Sequence, residues 1–201
     1  GYSDNTNMTF LMTTLCDTAS LYGPCAAAFG MEPWHPAIRD TFDLLTGKKL
    51  TVHGYDLYEK EGLKDEENPL IPYHVTEPCV RVKVPDQDTH MEGRLIGGCM
   101  DVLTLFLGTE FDGVKAFAEK YQKDGILWFL EACDLNPMGI RRALWQMEQA
   151  GWFRYVKGFL IGRPLHHGEV FINLDQYEAV TGILGKYGVP ILMDLDIGHI
   201  P

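Results

Sequence analysis

Basic side chains are scarce in this 201-residue chain: 17 Lys and Arg stand against 28 Asp and Glu, a formal charge of −11 at pH 7. Such a surface repels phosphate backbones and anionic membranes, so neither nucleic acid nor a membrane is an expected partner. Cysteine is sparse and badly spaced. Cys16, Cys25, Cys79, Cys99 and Cys133 are odd in number and contain no CxxC pair, which argues against a disulfide framework and against a zinc site. Reduced thiols in a cytoplasmic protein are the expectation, with no metal and no cofactor. Long apolar runs are missing too: none reaches the roughly 18 residues that span a bilayer. The first residues also lack the basic stretch and apolar core of a secretion signal. What is present is 46% hydrophobic residues, enough for the core of one large domain or two small ones.

The chain opens on Gly1-Tyr2-Ser3-Asp4, a polar turn that runs at once into a helical pattern. Met8, Leu11, Met12 and Leu15 follow the i, i+3, i+4, i+7 spacing of a buried helix face. Regular patterning then dissolves into Gly, Pro and charge, with the acidic run from Tyr58 to Pro69 as a solvated linker or surface loop. The expected organisation is a first domain portion over 1–50, a linker over 51–75 and an α/β domain over 76–201. In the last of these, strand-length apolar runs alternate with helical ones. "ILWFLE" (126–131) precedes an Asn136-Pro137 helix start, Ile140, Ala143, Leu144 and Met147 form a buried stripe, and "GFLIG" and "VPILM" supply two further strands. That alternation predicts an α/β fold with a parallel sheet covered by helices on both faces.

Ligands of open parallel sheets bind beyond the carboxyl ends of the strands, which directs attention to the polar residues there. Ser3 sits at the opening turn, Glu131 closes "ILWFLE", and His199 follows "VPILMDLDIG". A serine hydroxyl needs an imidazole to take its proton, and the imidazole needs a carboxylate to fix its tautomer. These three residues have the required chemistry. Ordinary readings stand beside that one: Ser3 as a helix N-cap, Glu131 as an exposed strand-end carboxylate, His199 as a loop histidine. Trp34 and His35 could line a cleft or anchor a proline-rich loop. Asp194 and Asp196 could orient His199 or serve as caps. His166-His167 lacks a convincing third ligand nearby and reads as a solvated loop.

"GYSD" leading into a helix, "YGP" at 22–24, "GRLIGG" at 93–98, "LGT" at 107–109, "ILWFLE", "GFLIGRP" at 158–164 and "DIGH" at 196–199 occur in one order along the chain. In that order they resemble the serine-type LD-carboxypeptidase family, and "GRP" with "VPILMDLDIGH" is most similar to its microcin C immunity peptidase branch. The resemblance implies a parallel-sheet-rich, two-domain hydrolase with Ser3 as nucleophile, His199 as base and Glu131 as the orienting acid, in a site between the domains. It further implies the Asp4 amide as an oxyanion donor. The substrate would be a cell-wall tetrapeptide losing terminal D-alanine, or, in the immunity branch, an aminoacyl-nucleotide or peptide-nucleotide conjugate, with Trp34 as a candidate to stack on the base. A non-catalytic binding domain that retains the fold is a third reading. The similar order Ser, Glu, His in α/β-hydrolases comes with a GxSxG elbow. Here Asn5 stands where that elbow has glycine.

Three departures from the family pattern accompany these motifs. Cys99 replaces the usual Asn after the glycine pair, and Tyr22 replaces the usual His before Gly-Pro; neither is expected to touch the three site residues. Family members also extend upstream of the serine, including a glycine-rich loop that completes the oxyanion hole, and beyond the Gly-His pair. The resemblance therefore implies an internal fragment of a longer enzyme, a remnant of the N-terminal domain plus most of the C-terminal one, inactive by itself. It allows a homodimer.

Overall fold

The computed structural model describes residues 1–200. Five helices and a five-stranded sheet make up its larger part, and a smaller, irregular part precedes the sheet. Helix α1 is Thr6–Thr14 and α2 is Pro36–Leu45; β1 (Leu57–Tyr58) and β2 (Glu77–Pro78) form a short antiparallel ladder. Then follow β3 (Val82–Val84), β4 (Arg94–Cys99), α3 (Met100–Leu103), α4 (Val114–Lys120), β5 (Ile126–Glu131), α5 (Pro137–Gln149), β6 (Val156–Gly162), α6 (Gln176–Leu184) and β7 (Ile191–Leu195). The strand order is β3-β7-β6-β5-β4, parallel throughout except for β3, which pairs antiparallel with β7.

Local signals explain much of this. The Asn136 side chain accepts from the Gly139 amide at 2.9 Å and Pro137 opens α5, so the helix starts where its cap dictates. Asp175 caps α6 in the same way, accepting from the Glu178 amide at 2.7 Å. Ile140, Ala143, Leu144 and Met147 are all buried and pack with Trp128, Phe159 and the buried face of α6 in one core.

Two expectations from the sequence are corrected. The buried residues of α1 are Thr6, Phe10 and Thr14, whereas Met8 is 66% and Leu15 47% exposed. An aromatic cluster decides the orientation: Phe10 stacks on Phe106 at 5.6 Å and lies beside Trp128 and Trp152. The ring gains aromatic packing on top of the apolar area it removes from water, and the preformed site between Phe106, Trp128 and Trp152 turns the Phe10 face inward. Secondly, α1 and α3 to α6 gather on the sheet face carrying Ile96, Trp128, Phe159 and Met193. On the opposite face Leu95 is exposed and Phe129 and Leu160 are only half-buried, bordering an open groove of about 490 Å³.

Residues 61–70 are exposed, yet the 51–75 segment holds buried anchor points. Tyr58 and Glu59 are buried, and the Glu59 carboxylate accepts from the amides of Leu63 and His74.

Candidate active site

The carboxyl ends of β4, β5 and β7 lie on one rim; there Glu131 and His199 are hydrogen-bonded to each other, and the serine turn reaches Glu131 through Tyr22. Glu131, the last residue of β5, is fully buried, and its Oε2 lies 2.8 Å from Nδ1 of His199. An ionised carboxylate can only accept, so Nδ1 carries the proton and Nε2 presents its lone pair. That Nε2 is buried and has no hydrogen-bond partner among the described residues. The bond to Glu131 raises the His199 pKa above its ordinary 6.5; burial opposes this, and the charges of Glu131, Asp101 and Asp134 reinforce it. Gly198 makes the approach possible. Its φ is +112°, and a Cβ there would stand 2.7 Å from Glu131 Oε2.

Ser3 begins a short 3₁₀ turn (Ser3–Asn5) that continues into α1, with φ at +59°. A non-glycine residue held in the left-handed region is strained, and such strain persists where surrounding contacts enforce it. Here the Ser3 amide donates to the hydroxyl of Tyr22 at 3.0 Å, and that hydroxyl donates to Glu131 Oε1 at 2.6 Å. Thr6 adds a longer contact to the same oxygen, 3.4 Å, and accepts from the Cys99 amide at 3.0 Å. Gly98 lets Thr6 sit this close: a Cβ there would fall 2.5 Å from Thr6 Cγ2. No hydrogen bond joins Ser3 Oγ to His199 among the described residues; the serine turn and the Glu131–His199 pair are joined through Tyr22.

Tyr22 is the residue that sequence reasoning missed. Its replacement of the usual histidine was visible, but not that it touches Glu131 and Ser3, 109 and 19 residues away. Asp101 was also missed. It accepts from the amides of Cys133 and Asp134, at 3.0 and 2.9 Å, and so fixes the loop after Glu131 against the end of β4.

Other candidates lie elsewhere. Asp196 accepts from Arg163, Tyr55, Arg81 and Cys79, and Asp194 from Gln176 and Tyr177; none of these bonds reaches His199. Trp34 packs edge-on to Phe29, donates to its carbonyl at 3.0 Å and carries Arg39 over its face at 4.4 Å, in a separate small core with Met31 and Ile38. It does not line the cavity of about 280 Å³ beside the serine turn, which is walled by Tyr2, Tyr22, His35, Tyr55, Tyr73 and Asp196. His166 lies 3.9 Å from Glu169 and His167 3.4 Å from Asp194.

One group has metal-like proximity: Cys99 Sγ, a Glu131 oxygen and a His199 nitrogen lie within 4.8 Å of one another. Burial and the neighbouring carboxylates of Glu131 and Asp101 push the Cys99 thiol well up from its ordinary value, so it stands there as a neutral thiol rather than a thiolate.

Residues 92–201 match the family description "LD-carboxypeptidase C-terminal domain". Among curated proteins, a probable murein peptide carboxypeptidase of Bacillus subtilis (strain 168) is 27% identical over 208 residues, covering 99% of this chain and 54% of its own length. Among solved structures, the microcin C7 self-immunity protein MccF in complex with aspartyl sulfamoyl adenosine superposes with a TM-score of 0.74 at 20% identity. An MccF-like protein from Bacillus anthracis gives 0.75 at 23%. Both superpositions cover all of this chain and 59% of the other, so the chain spans a little over half the length of these relatives. No helix among the described residues is long and apolar enough to cross a membrane. With more than half of its residues matching the family's C-terminal domain, the chain belongs to the LD-carboxypeptidase family.

Proposed function

We propose that this chain carries the catalytic trio of a serine-type amide hydrolase of the LD-carboxypeptidase kind, with Ser3 as nucleophile, His199 as general base and Glu131 as its orienting acid. One observation carries the reading: a buried carboxylate holds His199 by Nδ1, leaves Nε2 without a partner among the described residues, and is tied through Tyr22 to the amide of the strained serine. Ser3 Oγ adds to the carbonyl of the scissile amide as its proton passes to Nε2. The imidazolium, stabilised by Glu131, returns that proton to the leaving amine, and water then releases the acyl group by the same route. Because the Ser3 amide is engaged with Tyr22, the neighbouring Asp4 amide is the donor available to the oxyanion. Segments 1–50 and 76–201 act as the two lobes of the site, joined through 51–75, and the substrate is a cell-wall peptide ending in D-alanine.

A second reading keeps the trio and changes the substrate to an aminoacyl-nucleotide conjugate. It is favoured by the cavity beside Ser3, whose four tyrosines, Tyr2, Tyr22, Tyr55 and Tyr73, offer flat surfaces to a base. Trp34, turned into its own small core, is replaced by these rings in that role.

The test is Ser3→Ala in the full-length gene product. Turnover is expected to fall by several orders of magnitude with the thermal midpoint nearly unchanged; an unchanged rate rejects the mechanism and leaves a binding domain. Relative turnover of a muropeptide tetrapeptide and an aminoacyl sulfamoyl adenylate separates the two substrates.

A further inference from the structure

The hydroxyl of Tyr22 is where the two halves of the site meet. It is bonded to the serine turn through the Ser3 amide at 3.0 Å and to the acid through Glu131 Oε1 at 2.6 Å, and Thr6 Oγ1 approaches it at 3.4 Å. The ring is held edge-on to Tyr2 with centroids 5.2 Å apart and packs on Phe129 of β5 at 5.3 Å, so the hydroxyl has little freedom to turn away. Its bonding capacity is fully assigned: the single proton goes to the carboxylate and the lone pairs face the amide and Thr6. We infer that Tyr22 is a positioning residue, which locks the serine turn and the Glu131 carboxylate into one register and shares that carboxylate with His199.

The sharing has a chemical consequence. Glu131 is fully buried, so its charge is distributed between two donors, the phenol on Oε1 and the imidazole on Oε2. A hydrogen bond to one oxygen draws charge from the other and weakens its hold on the imidazolium. Removing the phenolic proton concentrates charge on Oε2 and makes His199 harder to deprotonate. The groups facing His199 are Glu131 at the end of β5, Asp101 on α3, Asp134 in the loop after β5 and Cys99 at the end of β4. None of them is a cation that could take over from the phenol. Tyr22 itself stays protonated, because burial and the Glu131 charge push its pKa far up. An imidazole at position 22 supplies the same pair of functions, an N–H to donate and a second nitrogen to accept, so histidine is the conservative exchange.

This inference rests on the Ser3–His199–Glu131 reading, but its test does not require turnover. The chain is labelled with ¹⁵N-histidine and the His199 signal, identified by its loss in His199→Gln, is titrated by NMR. In Tyr22→Phe the midpoint is expected to rise by roughly half a unit or more; in Tyr22→His it returns towards the wild-type value. Incorporation of 3-fluorotyrosine at position 22, which keeps the shape and strengthens the donor, is expected to lower it, and this arm stands even if Tyr22→Phe fails to fold. In the full-length gene product the acid limb of the pH–rate profile moves in the same direction, and kcat falls more than KM rises. A His199 midpoint unchanged in both the folded Tyr22→Phe and the fluorotyrosine protein overturns the inference and leaves the hydroxyl a structural bond. If Ser3→Ala retains full activity while the midpoint moves as expected, the hydrolase reading fails and the coupling stands.

Discussion

At the scale of single residues the site is a question of which proton sits where. His199 has its pKa raised by the bond to Glu131. It serves as a base only when neutral, so kcat/KM is expected to rise with pH through a midpoint above the ordinary 6.5. Stability runs the other way: a raised imidazole stabilises the fold fully below its unfolded pKa, and the contribution fades as pH climbs past the folded value. Glu131→Gln removes the charge that causes the shift. In that variant the rate midpoint should move down, kcat should fall by a hundredfold or more, and the alkaline loss of stability seen by thermal unfolding from pH 6 to 9 should disappear. A rate midpoint unmoved by Glu131→Gln would mean that another group titrates in the profile. The Glu131–His199 pair was legible because Glu131 ends an apolar strand run and His199 lies a few residues beyond another, while Ser3 stood out as the polar residue opening the first helical turn. Tyr22 was not legible, because a hydroxyl in a coil segment carries no periodicity and its partners are remote in the chain.

At the scale of elements, the repeated strand–helix units were legible in detail. The Asn136-Pro137 start and the α5 stripe both act within a few residues of themselves. The face of α1 was not, because local spacing cannot see the Phe106, Trp128 and Trp152 rings that claim Phe10. Phe10→Ala opens a hole in the aromatic stack and is expected to cost about 3–5 kcal/mol, whereas Met8→Ala, at a side chain 66% exposed, should change stability by less than about 0.5 kcal/mol. Denaturant unfolding of the two variants decides between the faces; equal losses would restore the methionine stripe. Because α1 also carries Thr6, the same packing that buries Phe10 aims the helix start at Cys99 and Tyr22. The core thereby sets where the serine turn lies on the rim.

At the scale of the whole molecule, the irregular segment between the two parts is fastened close to the site by one carboxylate. Asp196, three residues before His199, accepts from the Tyr55 amide at 3.1 Å, from Arg81 at 3.3 Å and from the Cys79 thiol at 3.4 Å, and pairs with Arg163. Arg163 is 1% exposed; it also donates to the Asp194 carbonyl at 2.7 Å and lies 4.1 Å over the Tyr58 ring. Segment 51–81 and the β6–β7 rim are therefore held by the same ion pair. Burial alone would raise the Asp196 pKa, but the bonds from Arg163 and the Tyr55 amide outweigh it and leave the pKa lowered. A lowered carboxylate stabilises the fold above its unfolded pKa near 3.8, and that stability is lost as pH falls through the folded value. Asp196→Asn leaves the Arg163 guanidinium buried without its partner charge, and about 3 kcal/mol should be lost at neutral pH. Hydrogen exchange is expected to quicken first at residues 55–58 and 77–81, ahead of β5 and β6. The acid sensitivity of those amides in the wild-type chain should be absent from the variant, and a variant whose 55–58 amides still open with falling pH as steeply as the wild type would place the acid-labile fastening elsewhere.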